Sequence, residues 1–470
     1  MAQHFDAVVI GTGQGGAPLA VRLGASGRKT AVIERALFGG TCVNVGCTPT
    51  KSYVASARAA HVARHAADLG VRVAGEVGVE LAAIKARKDG IVGQSRSGVE
   101  KWLREADHVT VFNGHARFTG PRTVSIAAPD GRITDEIEAD EIFINTGTRA
   151  IVPPVDGLDG IRYFTNSTLL ELTDLPAHLA IVGGSYIALE FAQIFRRFGS
   201  RVTVIVRGER ILSREDADFA KSVHTVLARE GIEFRFGAEP TRVEPLAGGS
   251  GSDVRILFGD GAPALDATHL LFATGREPNT DDLGLEHAGI ARDRHGIIPV
   301  DGQLRTSVPN VWAIGDVNGR GAFTHTSYDD FQIVSANLLN GAARSVDDRI
   351  MAYAVFVDPP LARVGLSEAD VRKAGRSAAD TLIATMPMTR VGRAREKGET
   401  DGFMKVLVDA PTQRILGAAI HGVDGDEAIH AFIDTMTANV PYTTLQFAMH
   451  IHPTISELIP TLLDGLKPMK

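Results

Sequence analysis

Twice in this chain a short apolar run ends on closely spaced glycines and passes straight into helix-forming sequence. Nothing else in the 470 residues restricts the fold as strongly. The first copy is Ala7-Val8-Val9-Ile10, then Gly11-Thr12-Gly13-Gln14-Gly15-Gly16, a helical stretch over 17–24, and Thr30-Ala31-Val32-Ile33 ending on Glu34. Short, wholly apolar runs of this kind read as buried parallel strands. Gly11, Gly13 and Gly16 keep the G-x-G-x-x-G spacing. The first permits the tight turn, the second admits a pyrophosphate, and the third lets helix and strand pack closely. The phosphates would sit on the helix N-terminus, where unpaired N–H groups favour anions. Glu34 stands where an acid accepts hydrogen bonds from a ribose.

The second copy is Leu179-Ala180-Ile181-Val182, then Gly183-Gly184-Ser185-Tyr186-Ile187-Ala188, a helix toward Gly199, and the strand Val202-Thr203-Val204-Ile205-Val206. Ser185 replaces the second glycine. The residue closing the second strand is Arg207, with Arg210 and Arg214 close behind. An acid there suits a 2′-hydroxyl, whereas guanidinium pairs bidentately with a 2′-phosphate. This turn therefore favours NADPH over NADH.

The chain holds two cysteines, and they are neighbours: Gly39-Gly40-Thr41-Cys42-Val43-Asn44-Val45-Gly46-Cys47-Thr48-Pro49-Thr50-Lys51. Two thiols this close can cycle between dithiol and disulfide, a two-electron change. Lys51 adds the cation that reactive thiols need to exist as thiolates. A zinc site would need further Cys or suitably spaced His. No charged-then-apolar leader opens the sequence, so it reads as cytoplasmic, where a disulfide is more often active than structural. The net charge of −7 argues against nucleic acid as main partner, and no apolar run reaches membrane-spanning length. Two dinucleotide sites plus a redox disulfide define an electron path, with a flavin as the natural relay between hydride and sulfur.

The cysteine segment at 39–51, Ala313-Ile314-Gly315-Asp316, the short turns Thr146-Gly147 and Ala273-Thr274-Gly275, and His450-Ile451-His452-Pro453-Thr454-Ile455-Ser456-Glu457 carry a resemblance. The chain resembles the pyridine nucleotide–disulfide oxidoreductases, the group of glutathione reductase, lipoamide dehydrogenase and mercuric reductase, over nearly its whole length. The resemblance implies an α/β fold: two doubly wound Rossmann-like nucleotide-binding domains plus a C-terminal α+β dimerisation domain. The FAD-binding domain would occupy 1–150, the NAD(P)H-binding domain 151–280, a return segment of the FAD domain 281–349, and the dimer-interface domain 350–470. Strands are expected over 402–408 and 415–420, and Gly248-Gly249-Ser250-Gly251-Ser252 reads as a hairpin tip.

Residue roles follow from the same resemblance. Cys42 would be the interchange thiol that meets the acceptor, and Cys47 the thiolate facing the flavin. Lys51 would lie near the reactive flavin nitrogen and pair with Glu190. Gly40 and Thr41 belong to the flavin-side segment, and Asp316, after Gly315, would bind the ribityl chain. Tyr186 matches the aromatic that covers an empty nicotinamide pocket. His452 and Glu457 would be an acid–base pair reaching the disulfide of the other subunit, which implies a homodimer. Asn145 departs from the family's Ala ahead of Thr146-Gly147.

The acceptor is left as a small-molecule disulfide or a thiol-reactive metal ion. The segments 207–216 and 323–331 resemble the mercuric reductase branch and the reactive-chlorine-resistance flavoproteins that reduce copper(II), but the terminal cysteine pair of mercuric reductases is missing. Soft ions bind thiolates well. His421, Asp424, Asp426, Glu427 and His430 read as a strand end and a polar helix start rather than a metal site. Competing readings are an NADH-linked dihydrolipoamide dehydrogenase and a low-turnover redox-sensing flavoprotein.

Overall fold

The computed structural model describes residues 2–246, 251–259, 261–377 and 379–469. Of the expected hairpin tip, Gly248, Gly249 and Ser250 lie outside them. The chain forms two compact units. Residues 1–52, 85–151 and 275–349 make the first, and 53–84, 152–274 and 350–470 the second.

The first unit is built on a seven-stranded sheet. Val109–Asn113, Thr30–Glu34, Gln3–Ile10 and Ile133–Ile144 run parallel in that order, and Val311–Ala313 pairs parallel with the end of the last. Thr123–Ala127 and His115–Phe118 continue the sheet antiparallel. Residues 7–10 are all buried, which is why their sequence is continuously apolar rather than alternating. The helix Gly16–Ala25 lays Ala17, Leu19, Ala20 and Leu23 against the strands.

In the second unit, Glu233–Phe236, Arg201–Val206, His178–Val182 and His269–Phe272 form a four-stranded parallel sheet. The helix Tyr186–Phe198 is buried along most of its length, with Phe191, Phe195 and Phe198 in the largest core cluster. Three antiparallel strands follow: Pro240–Pro245, Val254–Phe258 and Leu265–Ala267. The C-terminal region is a six-stranded antiparallel sheet. Its centre is the hairpin of Phe403–Asp409 and Arg414–His421, one residue off the expected strand limits at each of the four ends. Several buried charges of this unit are paired, as burial demands. Arg363 bonds Glu215 and Asp216, and Lys405 reaches Asp218 at 2.5 Å. Among the described residues no helix is long and apolar enough to cross a membrane.

Candidate functional site

The first glycine turn is held where only glycine fits. Gly11 has φ +101°, and a Cβ there would stand 2.4 Å from Asn145 O. On Gly16 a Cβ would meet Gly11 O at 2.2 Å. Asn145 brackets the turn: its Oδ1 accepts the Gly16 N–H at 2.9 Å, and its Nδ2 donates to Ile314 O at 2.8 Å. Read from sequence as a departure from Ala, Asn145 is the residue that ties the first glycine turn to the Ile314-Gly315 segment. The Glu34 carboxylate sits over the same turn, with Oε2 accepting from Thr12 N and Oγ1 and Oε1 from Ala36 N.

Gly40 passes so close to Gly13 that a Cβ on it would meet Gly13 Cα at 2.8 Å. The cysteine segment therefore grows directly out of the glycine cradle. Cys42 lies in the short helix Gly40–Asn44, and Cys47 opens the 18-residue helix Cys47–Arg64. Gly46 between them backs onto Cys42 Cα, 3.3 Å from where its Cβ would be. Both side chains are free thiols. The neighbouring Cys47, then burial, pushes the Cys42 thiol up, while Thr324 and Lys51 act in the opposite sense. Thr324 Oγ1 also lies 3.3 Å from Cys47 Sγ.

Gly315 (φ +77°) leads into Asp316. Burial raises the Asp316 carboxyl, against a bond from Thr148 Oγ1 at 2.9 Å and the charge of Arg276. Arg276, which directly follows Gly275, donates to Thr148 Oγ1 at 2.8 Å and to Thr41 Oγ1 at 3.4 Å. Thr148 and Arg276 were not among the residues the sequence singled out. Thr146 Oγ1, next to the open Gly147 (φ +65°), is buried with no hydrogen-bond partner among the described residues.

The second turn repeats the logic in the other unit. Gly183 has φ +136°, with Ala273 O 2.3 Å from where a Cβ would be. At Gly184 a Cβ would meet a side chain instead, 2.9 Å from Val206 Cγ1. Ser185 is the extended N-cap of Tyr186–Phe198, and Tyr186 is half-buried at its start. Glu190 is buried on that helix, its Oε1 accepting the Phe356 N–H at 2.9 Å. Lys51 belongs to the first unit and Glu190 to the second. Arg207 is 83% exposed, with Glu239 3.8 Å away, and Arg210 and Arg214 are exposed beside it.

Near the C-terminus, His452 Nδ1 stands 2.7 Å from Glu457 Oε2. Thr454 braces the turn, donating to Ile451 O at 2.8 Å and accepting from Glu457 N at 3.2 Å. His421 ends its strand and polar helices follow. Among the described residues two acidic or histidine groups come within metal-ligating reach, His4/Asp6/Asp140 and Asp216/Asp218/Glu368. The Lys405 ammonium already contacts all three carboxylates of the second.

Two nucleotide-type folds, one carrying a thiol pair on its glycine cradle, are the parts of a two-electron redox enzyme. Known proteins narrow the class. The pyridine nucleotide-disulphide oxidoreductase model matches residues 5–330, and the dimerisation-domain model of that family matches 351–463. A probable pyridine nucleotide-disulfide oxidoreductase, RclA of Escherichia coli, is 38% identical over 98% of this chain and 99% of its own. A mercuric reductase of Streptomyces lividans is 34% identical over 97% and 94%. The solved structure described as a Cu(II) complex of the HOCl-induced flavoprotein disulfide reductase RclA from Escherichia coli superposes with a TM-score of 0.88 at 36% identity, covering 99% of both chains. The chain belongs to the pyridine nucleotide-disulphide oxidoreductase family. It is an oxidoreductase with two Rossmann-type domains and a C-terminal dimerisation domain, from a family that uses FAD with a pyridine nucleotide. The first unit fits FAD: its glycine turn opens a helix whose N-terminus carries no side-chain cap, and the buried Thr146 hydroxyl has no hydrogen-bond partner among the described residues.

Proposed function

We propose that the chain is an NADPH-linked flavoprotein reductase whose Cys42–Cys47 pair delivers two electrons to a disulfide or a thiol-reactive metal ion. The observation that carries this reading is the pair of free thiols itself, on a segment packed against the first glycine turn where Gly40 meets Gly13. FAD, when bound, supplies the two-electron carrier between nicotinamide and sulfur. Gly11, Gly13, Gly16, Glu34, Gly40, Thr41, Thr146, Gly147, Gly315 and Asp316 would hold it. Gly183, Ser185, Tyr186, Arg207 and Arg214 would hold the nicotinamide nucleotide, the exposed arginines favouring a 2′-phosphate.

With a disulfide acceptor, the Cys42 thiolate attacks one sulfur and the other leaves with the electron pair. Cys47 then attacks Cys42 Sγ, the Cys42–Cys47 disulfide forms, and the second thiolate departs. His452, its Nδ1 side fixed by Glu457, gives the leaving sulfur its proton. With copper(II), two ions each take one electron as the same disulfide forms. The mercuric reductase and the Cu(II)-complexed flavoprotein among the relatives support a metal acceptor.

A homodimer is supported by the dimerisation domain and by what surrounds His452. Phe447, Met449 and Ile451 are 81%, 99% and 79% exposed, an alternating apolar edge suited to a second copy. Purified protein assayed anaerobically with oxidised thiols, mercury(II), copper(II) and quinones tests the reading. NADPH consumption with a disulfide or metal ion supports it, and turnover with quinones alone contradicts it. An NADH-linked dihydrolipoamide dehydrogenase is a second reading, favoured by a Chlamydia muridarum dihydrolipoyl dehydrogenase 32% identical over 97% of this chain and 96% of its own. Brisk NAD-dependent oxidation of dihydrolipoamide would put it first.

A further inference from the structure

We infer that Asp330 is a positioning residue for the flavin: its buried carboxylate clamps the Gly315-Asp316 turn and so fixes where the Asp316 carboxylate stands. The inference rests on the reading of Asp316 as a residue that holds FAD.

Asp316 follows a backbone conformation, φ +77° and ψ −160° at Gly315, that essentially only glycine adopts. Such a conformation persists where its surroundings over-determine it. Asp330 supplies the surroundings. Its Oδ2 accepts the Gly315 N–H at 2.7 Å and Asn318 Nδ2 at 2.8 Å. One oxygen therefore takes a bond from either side of Asp316. Asn318 spreads the clamp further, its Nδ2 donating to Ala313 O at 3.0 Å and its Oδ1 accepting from Arg320 N at 2.8 Å. The Asp316 side chain itself is held from another direction, by Thr148 Oγ1 at 2.9 Å.

Asp330 is 1% exposed. A carboxylate so deeply buried needs a paired charge, and Arg349 provides it by bonding the second oxygen, Oδ1. Arg349 is itself pinned, its Nε donating to Asp329 Oδ2 at 2.7 Å. The ionised acceptor makes the bond to Gly315 stronger than a neutral one would be. Asp330 lies on the helix Thr324–Asn340, and one turn earlier Ser327 closes on the same place. Ser327 Oγ is 2.7 Å from where a Cβ on Gly315 would stand, and Ser327 O is 2.7 Å from a Cβ on Gly15. The helix thus seats against both the first glycine turn and the Gly315 turn, with no room to slide.

The test follows FAD release by flavin fluorescence after dilution of the loaded protein. It compares wild type, Asp330→Asn, Asp316→Ala and the double variant, with circular dichroism to verify each fold. Asp330→Asn puts an NH2 group against either the Gly315 N–H or the Arg349 guanidinium. It should release FAD about tenfold faster, the scale of a hydrogen bond to a charged group. In the Asp316→Ala background the same change should alter release by less than about twofold, because a residue that acts through Asp316 has nothing left to position. Wild-type release from folded Asp330→Asn would overturn the inference. So would the same tenfold gain in both backgrounds, which marks a role in the fold alone. Wild-type release from Asp316→Ala would remove the reading of Asp316 itself, whereas fast release from Asp316→Ala beside normal Asp330→Asn removes only the role given to Asp330. If Asp330→Asn retains no flavin, Arg349→Gln carries the same comparison, with faster release expected in wild type and none added in the Asp316→Ala background.

Discussion

His452 and Glu457 form a one-sided pair: the imidazole is 81% exposed, the carboxylate 13%, and 2.7 Å separates Nδ1 from Oε2. The carboxylate fixes the tautomer and turns Nε2 outward, as required of a base that works beyond its own surface. His452→Gln is expected to lower kcat with a thiol or disulfide acceptor by about 10²–10³-fold, the usual contribution of a positioned acid–base group. Reduction of the bound flavin by NADPH should be unaffected. Glu457→Gln should cost roughly tenfold, the weight of a charge-assisted hydrogen bond. Steady-state and stopped-flow assays on the same preparations separate the half-reactions. Equal loss in both halves would contradict the assignment.

Asn145 binds two segments that are far apart in sequence, Gly16 and Ile314. Asn145→Ala strands a buried N–H at the start of Gly16–Ala25 and a buried carbonyl beside Gly315. The expected loss is about 2–4 kcal/mol of unfolding free energy, with faster release of FAD. Urea titration and flavin fluorescence measure the two. A change within about 0.5 kcal/mol, the range of an ordinary surface substitution, would show that the bracket contributes little.

What was legible in the sequence was what a backbone demands locally. Gly11, Gly16 and Gly183 announce themselves because their conformation and close contacts exclude a Cβ, and the buried strands because they lack polar alternation. Cys42 and Cys47 stand out because they are the only cysteines. Partners brought in from a distance stayed invisible. Asn145 reaches Ile314 across 169 positions, Arg276 reaches Thr148 across 128, and no periodicity or spacing encodes either. Sequence offered for Asn145 only the mismatch with an expected Ala, and for Asp330 only its place in a run already noted for other reasons.

Arg207 does not stand alone at the turn after its strand. Glu239 Oε1 is 3.8 Å from its guanidinium, both side chains largely exposed. That carboxylate competes with a 2′-phosphate for the same cation. Glu239→Gln should raise the NADPH-to-NADH ratio of kcat/KM by about threefold, a surface ion pair's worth, and Arg207→Glu should reverse the preference. A ratio unmoved by Arg207→Glu would place 2′-phosphate recognition elsewhere.

His421 is fully buried, with Nδ1 2.8 Å from Ser222 Oγ and Nε2 without a hydrogen-bond partner among the described residues. Burial lowers its pKa from the ordinary 6.5 to about 4. Between those values the unfolded chain binds a proton that the folded chain refuses, so stability is complete above pH 6.5 and falls as pH drops toward 4. The loss amounts to about 3 kcal/mol. Denaturant titrations at pH 7, 5.5 and 4.5 should show a shallower decline in His421→Asn than in wild type. Parallel declines would mean His421 titrates normally in the fold.

The most direct test of the whole account is the anaerobic spectrum of FAD-loaded protein titrated with NADPH, in wild type and in Cys47→Ser. A long-wavelength thiolate–flavin band that grows with NADPH in wild type and is missing from Cys47→Ser is the expected result. A band of equal strength in the variant, or none in either protein despite bound FAD, would contradict the claim that these two sulfurs carry the electrons onward.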